Sequence, residues 1–156
     1  MTLKKKLLAL SLAAGFAWIG GNAFAADSHT ITVNASVSGT CKFNTASSTV
    51  ALTLDPTLTT TVTGSDNVVY RCTKGTTPAF TLTSSSTSST SGGNLVQGAE
   101  SIPYTFSSSG GGAGTGMGNL AANDKTLAVT VSVDQSGAAN VTPGTYSDTI
   151  VVDVTP

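Results

Sequence analysis

The chain has 156 residues and a mass of 15.5 kDa, with 10% charged, 6% aromatic and 39% hydrophobic residues. That is enough for one core and one domain, and it excludes a charge-driven disordered chain and a coiled coil. The formal net charge is −1, but Lys4, Lys5 and Lys6 fall in a segment expected to be removed. The remainder sets four basic residues, Lys42, Arg71, Lys74 and Lys125, against eight acidic ones, a difference of −4 that excludes nucleic-acid binding.

Residues 1–25 have the plan of a secretory signal peptide: a basic start, an apolar run from Leu7 to Ile19, and Ala23-Phe24-Ala25 as small–x–small before Ala26. The run is shorter than the ~20 residues a spanning helix needs, and no cysteine follows it to take a lipid. The mature chain is expected to start near Ala26. Its longest strictly aliphatic run, Ile150-Val151-Val152, is too short for a membrane span.

The first predicted strand is Thr30-Ile31-Thr32-Val33-Asn34-Ala35-Ser36-Val37-Ser38, whose apolar and polar residues alternate without a fault. Residues 50–54 alternate less cleanly. Val68-Val69-Tyr70-Arg71-Cys72 and Ala79-Phe80-Thr81-Leu82 read as strands. Ile102-Pro103-Tyr104-Thr105-Phe106 also alternates, with Pro103 marking an edge or a strand start. Leu127, Val129, Val131 and Val133 form a long alternating face. Residues 146–155 read as the last strand, with Ile150, Val152 and Val154 on one side. Pro56, Gly64, Lys74-Gly75, Gly92-Gly93 and Pro143-Gly144 read as turns, and residues 84–91 and 107–118 as mobile Ser/Thr- and Ser/Gly-rich surface loops. No sustained helical period occurs. The expectation is all-β, a sandwich of immunoglobulin-like class with Phe43, Tyr70, Phe80, Tyr104, Phe106 and Tyr146 filling its core and anchoring its corners.

Export favours a disulfide between Cys41 and Cys72, the only cysteines. A metal site is the alternative, but His29 is the only histidine. Ser–His–Asp and Cys–His constellations, Gly-x-Ser-x-Gly and phosphate-cradling glycine motifs are not met, the carboxylates are scattered, and no EF-hand spacing is present. No enzyme activity, metal or cofactor is expected.

The alternating N-terminal segment has two readings. It is either the first strand of its own sandwich or an arm that completes a neighbour's sheet by strand addition. The sequence closes at Pro156, directly after the last strand, so no further strand is expected to cover that edge; this favours the arm.

The ending Thr142-Pro143-Gly144-Thr145-Tyr146-Ser147-Asp148-Thr149-Ile150-Val151-Val152-Asp153-Val154-Thr155-Pro156 resembles the terminal PGTYxDTVxVxVTP-type signature of the spore coat protein U domain, a family that includes subunits of archaic (Csu-type) chaperone–usher pili. Ser38-Gly39-Thr40-Cys41-Lys42-Phe43 resembles its first-cysteine segment, Val69-Tyr70-Arg71-Cys72-Thr73-Lys74-Gly75-Thr76 its second, and Ile102-Pro103-Tyr104-Thr105-Phe106 its central strand. The resemblance spans about residues 28–156. The Phe-Gly after the first cysteine, the mid-chain basic–x–Met element and the Trp-Gly before the terminal half are departures.

The resemblance implies an incomplete immunoglobulin-like pilin lacking its last strand, divided into a signal peptide (1–25), a donor-strand extension (26–38) and a sandwich domain (39–156). Ile31, Val33, Ala35 and Val37 would be the donor plugs. Tyr146, Ile150, Val152 and Val154 would lie on one flank of the acceptor groove, with the strand on the Cys41 side as the other. The implied partners are a periplasmic pilus chaperone, an outer-membrane usher and neighbouring copies in a homopolymer. The implied place is the cell surface, as a fimbrium serving adhesion or biofilm formation. The alternatives are a secreted or coat-associated protein of the same family that builds no pili, and a carbohydrate-binding module.

Overall fold

The computed structural model describes residues 27–111 and 116–156. The signal segment read at 1–25 and part of the Ser/Gly-rich stretch lie outside the described residues. The chain divides into two units, Met1–Ala35 and Ser36–Pro156. In the first, residues 27–35 carry no assigned secondary structure and are exposed, Ile31 to 76% and Val33 to 85%.

The second unit has seven strands: β1 (Cys41–Phe43), β2 (Thr61–Cys72), β3 (Ala79–Ser84), β4 (Gly92–Gln97), β5 (Glu100–Ser109), β6 (Lys125–Asp134) and β7 (Ile150–Thr155). They form a five-stranded sheet in the order β1-β2-β6-β5-β4 and a second sheet of β3 and β7, with every pair antiparallel. The described residues contain two short 310 turns and no α-helix. This is an all-β fold consistent with an incomplete immunoglobulin-like sandwich.

Period-two alternation places the core. Leu127, Val129, Val131 and Val133 of β6 are all buried, as are Ile102, Tyr104 and Phe106 of β5 and Tyr70 and Cys72 of β2. Each large apolar side chain buried this way contributes ~1.5–3 kcal/mol. Phe80 of β3 crosses from the second sheet, its ring centroid 4.7 Å from that of Tyr70 in an edge-on contact. Tyr146 ties down the approach to β7: its hydroxyl reaches the carbonyl of Thr142 at 2.8 Å, the tyrosine-corner arrangement of immunoglobulin-like sandwiches.

Several elements differ from the sequence reading. Residues 30–38 are not a strand, because nothing pairs with their main chain among the described residues. Gly64 is no turn but lies within the twelve-residue β2. A Cβ there would meet Val50 Cγ1 at 2.6 Å and Leu52 Cδ2 at 2.7 Å, so the glycine makes room for a segment crossing the sheet. Gly92-Gly93 opens β4, and Ser84, read as loop, is fully buried at the end of β3. Ser107, Ser108 and Ser109 extend β5. Pro103 lies inside the sheet, tolerated because β6 pairs with β5 only from Thr105 onward. The last strand begins at Ile150, not at Tyr146. Ser147 instead bridges Val96 and covers the outer edge of β4.

Candidate functional site

Among the described residues β7 pairs with β3 on one edge and with no strand on the other. In β3 the inward-facing Leu82 and Ser84 are buried, whereas Ile150, Val152 and Val154, which share the inward face of β7, are all only half-buried. Residues alternate toward the core on this strand as they should, yet the core does not close over them. The deficit therefore lies along β7.

A matching deficit occurs between β1 and β2. Residues 50–54 alternate in burial, with Val50, Leu52 and Leu54 half-buried and Ala51 and Thr53 exposed. Leu52 and Leu54 pack against the same core cluster as Ile150 and Val152. Among the described residues no backbone hydrogen bond involves residues 45–54, so a main chain with strand-like burial is left without a ladder. The segment is held by its ends: Ser48 donates to the Asp66 carboxylate, and Asp55 N donates to Gln135 Oε1 at 2.7 Å. The sequence reading placed the Cys41-side flank in a strand. The strand there, β1, is only three residues long, and residues 50–54 carry the under-buried apolar face.

The root of the N-terminal segment is fixed to the body. Thr73 N donates to Thr40 O at 2.8 Å, Thr40 N donates to Thr73 Oγ1 at 3.1 Å, and Cys41 and Cys72, paired in register, form a disulfide. Closing a loop of 31-residue separation stabilises the fold by ~3–4 kcal/mol on the chain-entropy account. A Cβ on Gly39 would lie 3.9 Å from Pro156 Cβ, so the root leaves the body beside the end of β7. Ala35 is exposed like Ile31 and Val33, and Val37, in the second unit, is 85% exposed.

Two carboxylates brace the approach to β7. Asp148 accepts from Ser84 Oγ (2.6 Å), Ser86 Oγ (2.8 Å), Tyr104 OH (2.7 Å) and the backbone N–H groups of Ser86 and Thr149. Burial acts to raise its pKa, but these donors outweigh it and hold the carboxyl below its ordinary value. Burial and the same bond push the Tyr104 phenol up to about 12. Glu100 accepts from Tyr146 OH (2.7 Å), Thr142 N (2.9 Å) and the Thr142 hydroxyl, and the hydrogen bonds, led by that hydroxyl, lower its pKa. Sequence reasoning missed both clusters. Their only signal was the dense Thr, Tyr and Asp run before the last strand.

The sequence model of the Spore Coat Protein U domain matches residues 27–153. The chain belongs to the Spore Coat Protein U family. No curated protein and no solved structure matches it. Spore Coat Protein U domains are extracellular or surface-associated, and membership supports a secreted structural β protein. Among the described residues no helix is long and apolar enough to cross a membrane, and no group of three or more His, Cys, Asp or Glu side chains could hold a metal ion.

Proposed function

We propose that this chain is the structural subunit of a surface pilus and polymerises by donor-strand exchange. Residues 27–38 of one copy enter the gap between β7 and residues 50–54 of the next, with Ile31, Val33, Ala35 and Val37 directed at the core. One observation carries this reading. The chain holds an open core edge beside β7 and, separately, an exposed segment whose alternation matches such an edge.

The arm's own contacts and its ordering cost are of comparable size, so closure of the open core decides the balance. Burying Ile31, Val33 and Val37 yields ~1.5–3 kcal/mol each, and each ladder hydrogen bond adds ~0.5–1.5 kcal/mol net. Ordering the arm costs ~1–2 kcal/mol per residue, which offsets much of this, but the half-buried faces of β7 and residues 50–54 lose their water at the same time. The contact is heterologous and so propagates into a filament. Before assembly a periplasmic chaperone lends a strand to the gap, and an outer-membrane usher exchanges it for the arm of the incoming subunit. The role is mechanical, with no enzymatic step, and the fibre serves attachment at the cell surface.

The test is deletion of residues 26–38 from the mature chain, expressed with its chaperone. Monomer–chaperone complex without polymer is expected. Polymers of normal length from the truncated chain would refute the reading, and a coat-associated protein that forms no fibres would take its place.

A further inference from the structure

We infer that neighbouring subunits of the polymer also touch body to body, the loop 116–120 of the donor seating on Leu58 at the mouth of the acceptor's gap. This rests on the donor-strand reading above and adds to it a second contact surface whose partner is another copy of this chain.

The sandwich has two ends. At the first lie the Cys41–Cys72 disulfide, the Thr40–Thr73 clamp and the loop 116–120, whose Gly118 N donates to Cys72 O at 3.1 Å and whose Gly116 O accepts from Gly75 N at 2.9 Å. At the second lie Gln135, which donates to Thr60 O at 3.3 Å, and the turn in which Leu58 N donates to Asp55 O at 3.0 Å. β2 runs from the second end to the first, since Thr61 pairs with Asp134 just before Gln135 and Cys72 pairs with Cys41. β3 follows β2 and runs back, so its antiparallel partner β7 also points toward the first end, where Pro156 lies beside Gly39.

Every strand pair in this fold is antiparallel, and antiparallel pairing is the more stable per residue. An arm added antiparallel to β7 enters at the acceptor's first end and brings Val37 to its second. From there only Ser38 and Gly39 precede Thr40, which is already clamped to the donor's own Thr73. Three residues span at most ~10 Å. The donor's first end is therefore held against the acceptor's second end.

The two surfaces that meet carry exposed apolar side chains: Met117 at 61% and Leu120 at 72% on one, Leu58 at 47% on the other. Of the two remaining exposed large apolar residues in strands, Val96 already bridges Ser147 and Val151 lies on the outward face of β7, outside the loops at either end. The contact is small, but the tether raises the local concentration of one surface at the other and makes a weak patch effective.

Cysteine pairing in the assembled fibre tests this. The two native cysteines are bonded to each other and no free thiol competes. Polymers of full-length L58C/L120C, treated with mild oxidant, are expected to run as a ladder of covalent multimers on a non-reducing gel, with neither single variant cross-linking. If that double variant fails to assemble, T57C/N119C samples the same contact and carries the same expectation. Covalent dimers from L120C alone would mean that like ends meet, so that the arm enters parallel to β7, and would overturn the inference while leaving donor-strand assembly intact. Intact fibres with no cross-link would also overturn it. Absence of arm-dependent polymer from the unmodified chain would overturn the parent reading and this one together.

Discussion

The hydroxyl of Tyr104, on β5 of the five-stranded sheet, donates to Asp148 Oδ2 at 2.7 Å, in the segment that leads into β7. One carboxylate thereby joins the two sheets, since Ser84 at the end of β3 donates to the same oxygen at 2.6 Å. Asp148 lies two residues ahead of β7 and ties the start of that strand to both sheets.

Asp148→Ala removes the acceptor of the Tyr104 phenol and of Ser84, which is fully buried and keeps only Ser86 Oγ at 3.0 Å as a side-chain partner. An orphaned buried donor costs ~1–3 kcal/mol, so a loss of about 2–4 kcal/mol is expected. Urea unfolding followed by circular dichroism, with the disulfide intact, reads it. Tyr104→Phe removes one donor and keeps the ring, and a loss of about 1 kcal/mol is expected.

Acid should weaken the fold. The pKa values of Asp148, Glu100, Asp55 and Asp134 are lowered in the folded state, so the unfolded chain takes up protons first as pH falls. Their stabilisation is complete above the ordinary carboxylate range, near 4, and is lost as pH drops through the folded values. The Tyr104 phenol works in the other direction: raised from 10.0 to about 12, it favours the fold below pH 10 and loses that contribution between 10 and 12. The urea midpoint measured from pH 2 to 12 should fall at both ends. Asp148→Asn should flatten the acid limb and lower the plateau.

Gly93→Ala tests the packing behind that carboxylate. A Cβ there would lie 2.7 Å from Asp148 Oδ2 and 2.8 Å from Tyr104 Cε1, and would collide with Ser84 Oγ. Overpacking of this kind costs ~1–3 kcal/mol. A thermal midpoint unchanged from the parent chain would show that the cluster can yield.

Val33→Asp separates assembly from folding. Val33 is 85% exposed, so the unfolding free energy of the body, read by urea, should change by no more than ~0.5 kcal/mol. Fibre yield should collapse, because a carboxylate directed at the core would be buried without a partner. Electron microscopy counts the fibres; normal numbers would show that position 33 does not face the core.

Much of this fold could be read directly from the chain. The unbroken alternation of Leu127, Val129, Val131 and Val133 identified the central core face, because a strand that alternates so strictly must bury one side. The pairing of Cys41 with Cys72 followed from export and from there being no third cysteine. The glycines misled the reading. Gly64 and Gly93 look like turn residues locally, but distant side chains need the space above them, and single-strand patterns carry no record of a neighbour 11 or 55 positions away. Residues 50–54 were legible as alternating, while their lack of a ladder was not, since hydrogen-bond partners are a tertiary property. The onset of the last strand was misplaced because Tyr146 and Ser147 have strand-like types but are spent on a corner and on an edge cover.

The disulfide at the arm's root has a mechanical meaning if the fibre is pulled. In the proposed fibre, tension from one subunit would enter the next body at Thr40, directly ahead of β1, a strand of only three residues. Three residues of ladder would peel under modest force. The covalent bond from Cys41 to Cys72 would instead hand the load to β2, twelve residues long and paired with β6 from Thr61 to Tyr70, so the three-residue strand would not bear it alone.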